Sequence, residues 1–311
     1  MFQRTLTLLA FTSAFFLVSP LFAQYNPAAG ENAPKMERSE SYVDDSGEER
    51  TRTVHVDPEQ DKYGNAAGNQ FDLAVDGAFE GQTVAVLHFY TGEGFDFSLP
   101  KKALAQKGFS VYRWMNTAPS PEELEEKLEK ACQLWIISDS QRHLNVEHLE
   151  VIREFYESGR GLYIWGDNQP YYSDANFVAE NLLDTRMKGN LIGDQVVGVQ
   201  ARNTDEKEKS GIIEDHLLST GLQNIYEGIT IATIQPNQAL TPLIWGSAGN
   251  LVAAFYDKDG KRAILDGGFT RLYIKWDSAG TPRYIKNAAA WLVNHERFGD
   301  EVVAADIKND E

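Results

Sequence analysis

Gly159-Arg160-Gly161-Leu162-Tyr163-Ile164-Trp165-Gly166-Asp167-Asn168 is the stretch on which the fold turns. Gly159 ends a helical pattern, the run 161–165 carries no charge, and Gly166 opens a sharp turn bearing an acid and an amide. A run this apolar, without polar alternation, predicts a central strand buried on both faces, which is the parallel-sheet pattern.

The neighbouring segments repeat the unit. Residues 83–90, 109–114 and 132–138 read as three earlier strands. Between them, 99–107 reads as a helix stopped by Gly108. Ser120-Pro121-Glu122-Glu123 opens another, with Pro at the first position and carboxylates against the dipole. Asn145 caps a third helix, whose Leu149, Ile152, Arg153 and Tyr156 keep helical spacing, and 176–183 follows the fourth strand. This alternation predicts an α/β fold: a flavodoxin-like, doubly wound, mainly parallel sheet with helices on both faces. Residues 241–247, 251–257 and 261–265 are strands joined by Gly-containing turns and predict a C-terminal antiparallel extension. A helix over 283–294 closes the domain, whose expected limits are 71–298.

The flanks read differently. Residues 1–4 are a short basic start, and 6–18 form an apolar run broken only by Thr7, Thr12 and Ser13. Ser19-Pro20 interrupt it, and Ala23 precedes Gln24. That is the layout of a signal peptide over 1–23, too short to span a bilayer. The expectation is a periplasmic or secreted product cleaved near Ala23, without stable membrane insertion. Residues 24–70 are rich in Pro, Gly, Ser and Glu and predict a disordered acidic and polar arm, with 53–56 its one strand-like piece. Residues 299–311 are a polar tail.

Charge and cysteine usage narrow the partners. The 311 residues carry 29 Lys plus Arg against 46 Asp plus Glu, a formal net charge of -17. Such a surface repels phosphate backbones, so no nucleic-acid partner is expected. The one Cys, Cys132, cannot form an internal disulfide and reads as a core residue.

Three pieces carry a family resemblance: the 159–168 stretch quoted above, Asp215-His216-Leu217-Leu218-Ser219-Thr220-Gly221-Leu222, and the turn Asp266-Gly267-Gly268-Phe269 before a terminal helix. Together they resemble the class I glutamine amidotransferase-like superfamily, especially its trehalose-utilisation-like and non-catalytic members. The resemblance places a nucleophile elbow at 166–170, where working members have Gly-x-Cys-x-Gly and a later His as base. Here Asn168 occupies the nucleophile position and Pro170 that of the second glycine. No His lies between His216 and His295. The resemblance therefore implies a domain without glutaminase activity.

Ligands of open α/β sheets bind beyond the carboxyl ends of the strands. Those ends are 88–95, Asn116, Asp139 and Ser140, Asp167 and Asn168, and 266–269. The candidate ligand-binding residues are His88, Glu93, Asp139, Ser140, Asp167, Asn168, Tyr171, Asp174 and Asp266. Asp139 and Asp167 are the catalytic candidates. Converging carboxylates suit a sugar, an amine or a divalent cation, although ordinary turn and N-cap duty for Asp and Asn is the competing explanation. Gly92-Glu93-Gly94 fails as a dinucleotide loop, because Phe97 stands where a third glycine belongs. His143, Glu147 and His148 miss the His-x-x-Glu-His zinc spacing by one residue and read as a solvated helix start.

Two functions follow as expectations. One is an exported, non-catalytic domain binding a small polar ligand or an envelope protein partner. The other is a secreted hydrolase, of carbohydrate type, using Asp139 and Asp167 as an acid-base pair. A purely assembling subunit, with the antiparallel extension as its interface, is a third class.

Overall fold

In the computed structural model, which describes residues 24–200 and 210–299, the run Gly161–Trp165 is a strand buried at every position. The strands are β1 (Met36–Val43), β2 (Glu49–Val56), β3 (Thr83–His88), β4 (Ser110–Met115), β5 (Gln133–Ile137), β6 (Gly161–Trp165) and β7 (Met187–Ile192). They continue with β8 (Val196–Gly198), β9 (Gly211–Ile212), β10 (Asn224–Tyr226), β11 (Thr230–Ile234), β12 (Thr241–Trp245), β13 (Leu251–Lys258) and β14 (Lys261–Asp266). The helices are α1 (Ser98–Gln106), α2 (Pro121–Leu128), α3 (Val146–Glu157), α4 (Ser173–Leu183), α5 (Thr281–Leu292) and α6 (His295–Phe298).

The main sheet has eight strands in the order β4-β3-β5-β6-β14-β13-β12-β9. Pairs β4/β3, β3/β5, β5/β6 and β6/β14 are parallel, and the remaining three are antiparallel. Counting only the parallel strands gives 2-1-3-4-5, the flavodoxin order. β14 thus belongs to both halves: it is the fifth parallel strand and the first of the antiparallel run. The Gly-containing turns in the sequence predict it as part of the extension alone.

Alternation along each strand feeds two cores. Val84, Val86, Trp135, Ile137, Tyr163 and Trp165 face Leu104 of α1 and Tyr284, Ala288 and Trp291 of α5. Ala85, Leu87, Leu134, Ile136, Leu162 and Ile164 face Leu124 of α2, Ile152 of α3 and Val178 of α4. Each fully buried large side chain contributes roughly 1.5–3 kcal/mol of transfer free energy. Cys132 is buried, and burial pushes its thiol up to about 12, as a core residue requires.

Residues 24–70 depart from the disordered arm the sequence suggests. β1 and β2 form an exposed antiparallel ribbon, but the chain on either side of it is docked. Asn26 Nδ2 donates to Asp72 O at 2.7 Å, and Asn32 Nδ2 to Ser219 O and Leu222 O at 3.1 and 3.0 Å. Asn65 Oδ1 accepts from the Gln223 and Asn224 amides at 2.7 and 2.8 Å. All three asparagines are buried. The docking uses amide side chains satisfying backbone groups, which hydropathy scores as solvent-loving. Residues 1–23 and 300–311, including nearly all of the signal peptide and tail readings, lie outside the described residues.

A second departure lies at 184–235, where the sequence predicts no strand. Here β7 pairs with β11 and β8 with β10, each antiparallel, as small ribbons outside the main sheet.

Candidate functional site

Three parallel strands deliver their carboxyl ends to one pocket of about 320 Å³. The chain after β3 supplies Tyr90 and Glu93, that after β6 supplies Asp167, Asn168 and Tyr171, and that after β14 supplies Phe269, Thr270, Tyr273 and Ile274. Ile229 and Thr230, entering β11, close the remaining side.

Gly166 makes the turn after β6 possible through space. A Cβ there would lie 2.5 Å from Met187 Sδ and 3.0 Å from Tyr172 Cβ. The Tyr171 amide then donates to Asn168 O at 2.8 Å, and the Asp167 amide to Tyr171 O at 3.0 Å. Gln169-Pro170 is a cis peptide.

Asp167 lies buried on the pocket floor, 1% exposed. Its Oδ1 accepts from the Asn168 amide at 2.7 Å and its Oδ2 from the Thr270 amide at 2.8 Å. Burial pushes this carboxyl up to about 7, against the pull of both amides and the Arg271 guanidinium. An acid poised there changes charge near neutrality. Beside it, Asn168 is committed at both ends of its amide. Oδ1 accepts from Thr230 Oγ1 at 2.9 Å, and Nδ2 donates to Gln169 O at 3.1 Å.

The walls are aromatic. The Tyr90 and Tyr171 centroids are 5.1 Å apart at 76°, and Tyr90 lies 4.9 Å from Phe269. Tyr171 meets Phe269 at 75°. Tyr273 stacks on Phe95 and donates from its hydroxyl to Glu93 Oε2 at 3.1 Å, joining the turns after β3 and β14.

Five nominated residues lie elsewhere. Asp266 is fully buried behind the floor in an ion pair with Arg271. It also accepts from the Gly268 amide and Tyr284 hydroxyl, both at 3.0 Å. Every oxygen is used, so it is a strut. His88 sits between Phe95 and Phe97 with Nδ1 3.1 Å from Arg113. Burial, then the Arg113 charge, lowers its pKa to about 4. Asp139 and Ser140 lie toward the opposite sheet face: Asp139 accepts from the Ser140 amide at 2.6 Å and approaches His143, which stacks on Phe89. Asp174 accepts from the His143 and Leu144 amides at 2.8 and 2.9 Å and holds that loop. Glu93, Asp167, Asn168 and Tyr171 alone among the nominated residues share the pocket.

The acid-base pair is therefore not assembled. β5 and β6 are neighbours as expected, but Asp167 turns to the α1/α5 face and Asp139 to the face of α2, α3 and α4. His148, read as part of a solvated helix start, is instead 6% exposed and closes a capping box with Asn145. His216 caps a helical turn and stacks on Phe255, with burial holding its pKa at about 4. Among the described residues, no three His, Cys, Asp or Glu side chains gather to hold a metal ion.

Thr270, Tyr273, Ile274, Ile229 and Thr230 lie outside the rim that the sequence predicts. Recognising β14 as a fifth parallel strand would have extended the rim past Phe269 to Thr270 and Tyr273. Ile229 and Thr230 carry no local signal, since long-range pairing of β11 with β7 brings them in.

Fold and site together define a flavodoxin-like α/β protein with a ligand-sized pocket at its carboxyl rim. The chain is similar in structure to a ThuA-like protein from Parabacteroides merdae ATCC 43184, at 10% identity and a TM-score of 0.46, covering 69% of this chain and 90% of that one. It is also similar to an exo-β-1,4-mannosidase from Opitutaceae bacterium strain TAV5 (10% identity, TM-score 0.38, 70% of this chain) and to the carbohydrate deacetylase Agd3 (10%, 0.41, 69%). It spans 36% of the mannosidase and 32% of the deacetylase. No family model matches the sequence, and no curated protein matches it.

Proposed function

We propose that this chain is an exported, non-catalytic domain of glutamine amidotransferase-like fold that binds a small polar ligand in the Asp167 pocket. The observation supporting this is a buried carboxyl, poised near neutrality, on the floor of an aromatic pocket at the strand ends. The absence of catalysis is argued from Asn168, whose amide is spent on Thr230 and Gln169, and from a lining without Cys or His among the described residues. Export is argued from the basic start, apolar run and Ala23 of residues 1–23.

A thermal-shift screen of the full chain against sugars, amino acids, amines and divalent cations tests the proposal. A ligand near one hundred times its Kd stabilises by about 2.7 kcal/mol, a readable shift. The expected outcome is a hit that Asp167→Ala abolishes while the variant still melts cooperatively. A hit indifferent to Asp167 would place binding elsewhere, and no hit in any class would remove the reading.

A further inference from the structure

Among the described residues, the lining of the Asp167 pocket combines aromatic faces and carboxyl groups and includes no basic side chain. Arg271 is fully buried behind the floor and paired with Asp266. Lys275, next to Ile274, is engaged with Asp194 at 3.5 Å. Against this lining an anionic ligand would meet two carboxyl groups and, among the described residues, no lining countercharge.

A neutral polyol fares little better. The Thr270 and Asn168 amides are given to Asp167, the Asn168 side chain to Gln169 O, the Thr230 hydroxyl to Asn168, and the Tyr273 hydroxyl to Glu93. Those donors are turned on the pocket's own wall, and the groups left to a ligand are the Glu93 carboxylate, the tyrosine hydroxyls and the aromatic rings. Ring faces carry negative potential and attract cations, more strongly where water is displaced. Tyr90 and Phe269 each stand near 75° to Tyr171, so the pocket wall carries aromatic rings in more than one orientation.

Building on the ligand-binding reading of this pocket, we infer that its ligand is a small organic ammonium ion. The rings of Tyr90, Tyr171 and Phe269 receive it, and Glu93 and Asp167 supply the countercharge. A volume of about 320 Å³ suits an ion of few heavy atoms, at the small end of ligand pockets. The arriving cation displaces the proton that burial holds on Asp167, so binding and ionisation are coupled.

Calorimetric titration of the full chain at pH 8 with choline chloride, its uncharged isostere 3,3-dimethyl-1-butanol, and glucose tests this. Choline is expected to bind about tenfold or more tighter than the isostere, the scale of a desolvated cation-π contact. Glu93→Gln should weaken choline about fivefold and leave the isostere unmoved, and Tyr171→Leu should weaken choline with unchanged Tm. Equal affinity for choline and isostere, or glucose binding tighter than both, would overturn the ammonium assignment. The pocket would remain a site if that binding still required Asp167. Failure of all three probes also overturns the assignment, and the wider thermal-shift screen then separates the two readings. An Asp167-dependent hit of another class keeps the pocket, and no hit removes both.

Discussion

The carboxylate of Asp167 accepts the backbone amide of Thr270 at 2.8 Å, tying the turn after β6 to the turn after β14. Its other oxygen accepts the Asn168 amide, so two donors require two acceptors on one short side chain. Asparagine offers one oxygen only. The floor of the pocket is thus built with an acid although burial opposes its charge.

That opposition has a pH signature. Between the ordinary carboxylate range near 4 and about 7, the unfolded chain has released a proton that folded Asp167 retains. Stability therefore falls as pH rises through this window, by on the order of 4 kcal/mol from Asp167 alone. His88 and His216, both lowered to about 4, act oppositely and cost stability as pH falls from 6.5 towards 4. Urea denaturation at pH 5 and pH 8 isolates the Asp167 contribution when wild type is compared with Asp167→Asn. The variant is expected to lose one buried hydrogen bond, about 1–3 kcal/mol, at low pH and to become the relatively more stable form at high pH.

A second buried charge should behave quite differently. Asp72 is fully buried and meets Arg283 Nε at 2.8 Å, Lys107 Nζ at 2.9 Å and Lys286 Nζ at 2.6 Å. Removing it leaves the buried Lys286 ammonium without a carboxylate partner, while Lys107 keeps Asp76 at 2.6 Å. Asp72→Ala is expected to cost about 3–5 kcal/mol in urea denaturation. A loss below about 1 kcal/mol would show that water reaches those lysines.

Restoring a thiol should not restore an amidotransferase. Asn168→Cys places sulfur beside Thr230 and Asp167, yet no imidazole lines the pocket, and His216 is committed to its cap. Ammonia release from glutamine is expected to stay at background. Turnover by the variant or by the parent chain would contradict the non-catalytic reading.

Limited proteolysis distinguishes the ribbon from its docked flanks. Cleavage is expected first in the exposed β1–β2 turn near Ser46, with the Asn26, Asn32 and Asn65 segments protected. Loss of the whole 24–70 segment at the earliest time would contradict the asparagine anchoring.

The parallel half of the fold was legible because its signals are local. Residues 161–165 and 132–138 are apolar runs, Ser120 and Asn145 cap the helices they were read to cap, and Gly166 marks the turn. Half of the pocket was not, because it depends on register between distant segments. Thr230 reaches Asn168 only through β11 pairing with β7, and Thr270 reaches Asp167 only because β14 adds in parallel to β6. Asp139 was misplaced for a related reason. Its strand neighbours β6, but which face a side chain takes after the strand ends is set by its loop, here through Ser140 and His143.

The state of the Asp167 carboxyl decides whether this pocket is a binding site, and that group is directly observable. Carbon-13 NMR of the full chain with labelled aspartate, assigned by loss of a signal in Asp167→Asn, follows its side-chain carboxyl carbon through pH. The expected titration midpoint is about 7, moving lower when choline chloride is added. A midpoint in the ordinary carboxylate range, unmoved by any bound ligand, would show a solvated turn aspartate and contradict the pocket at its centre.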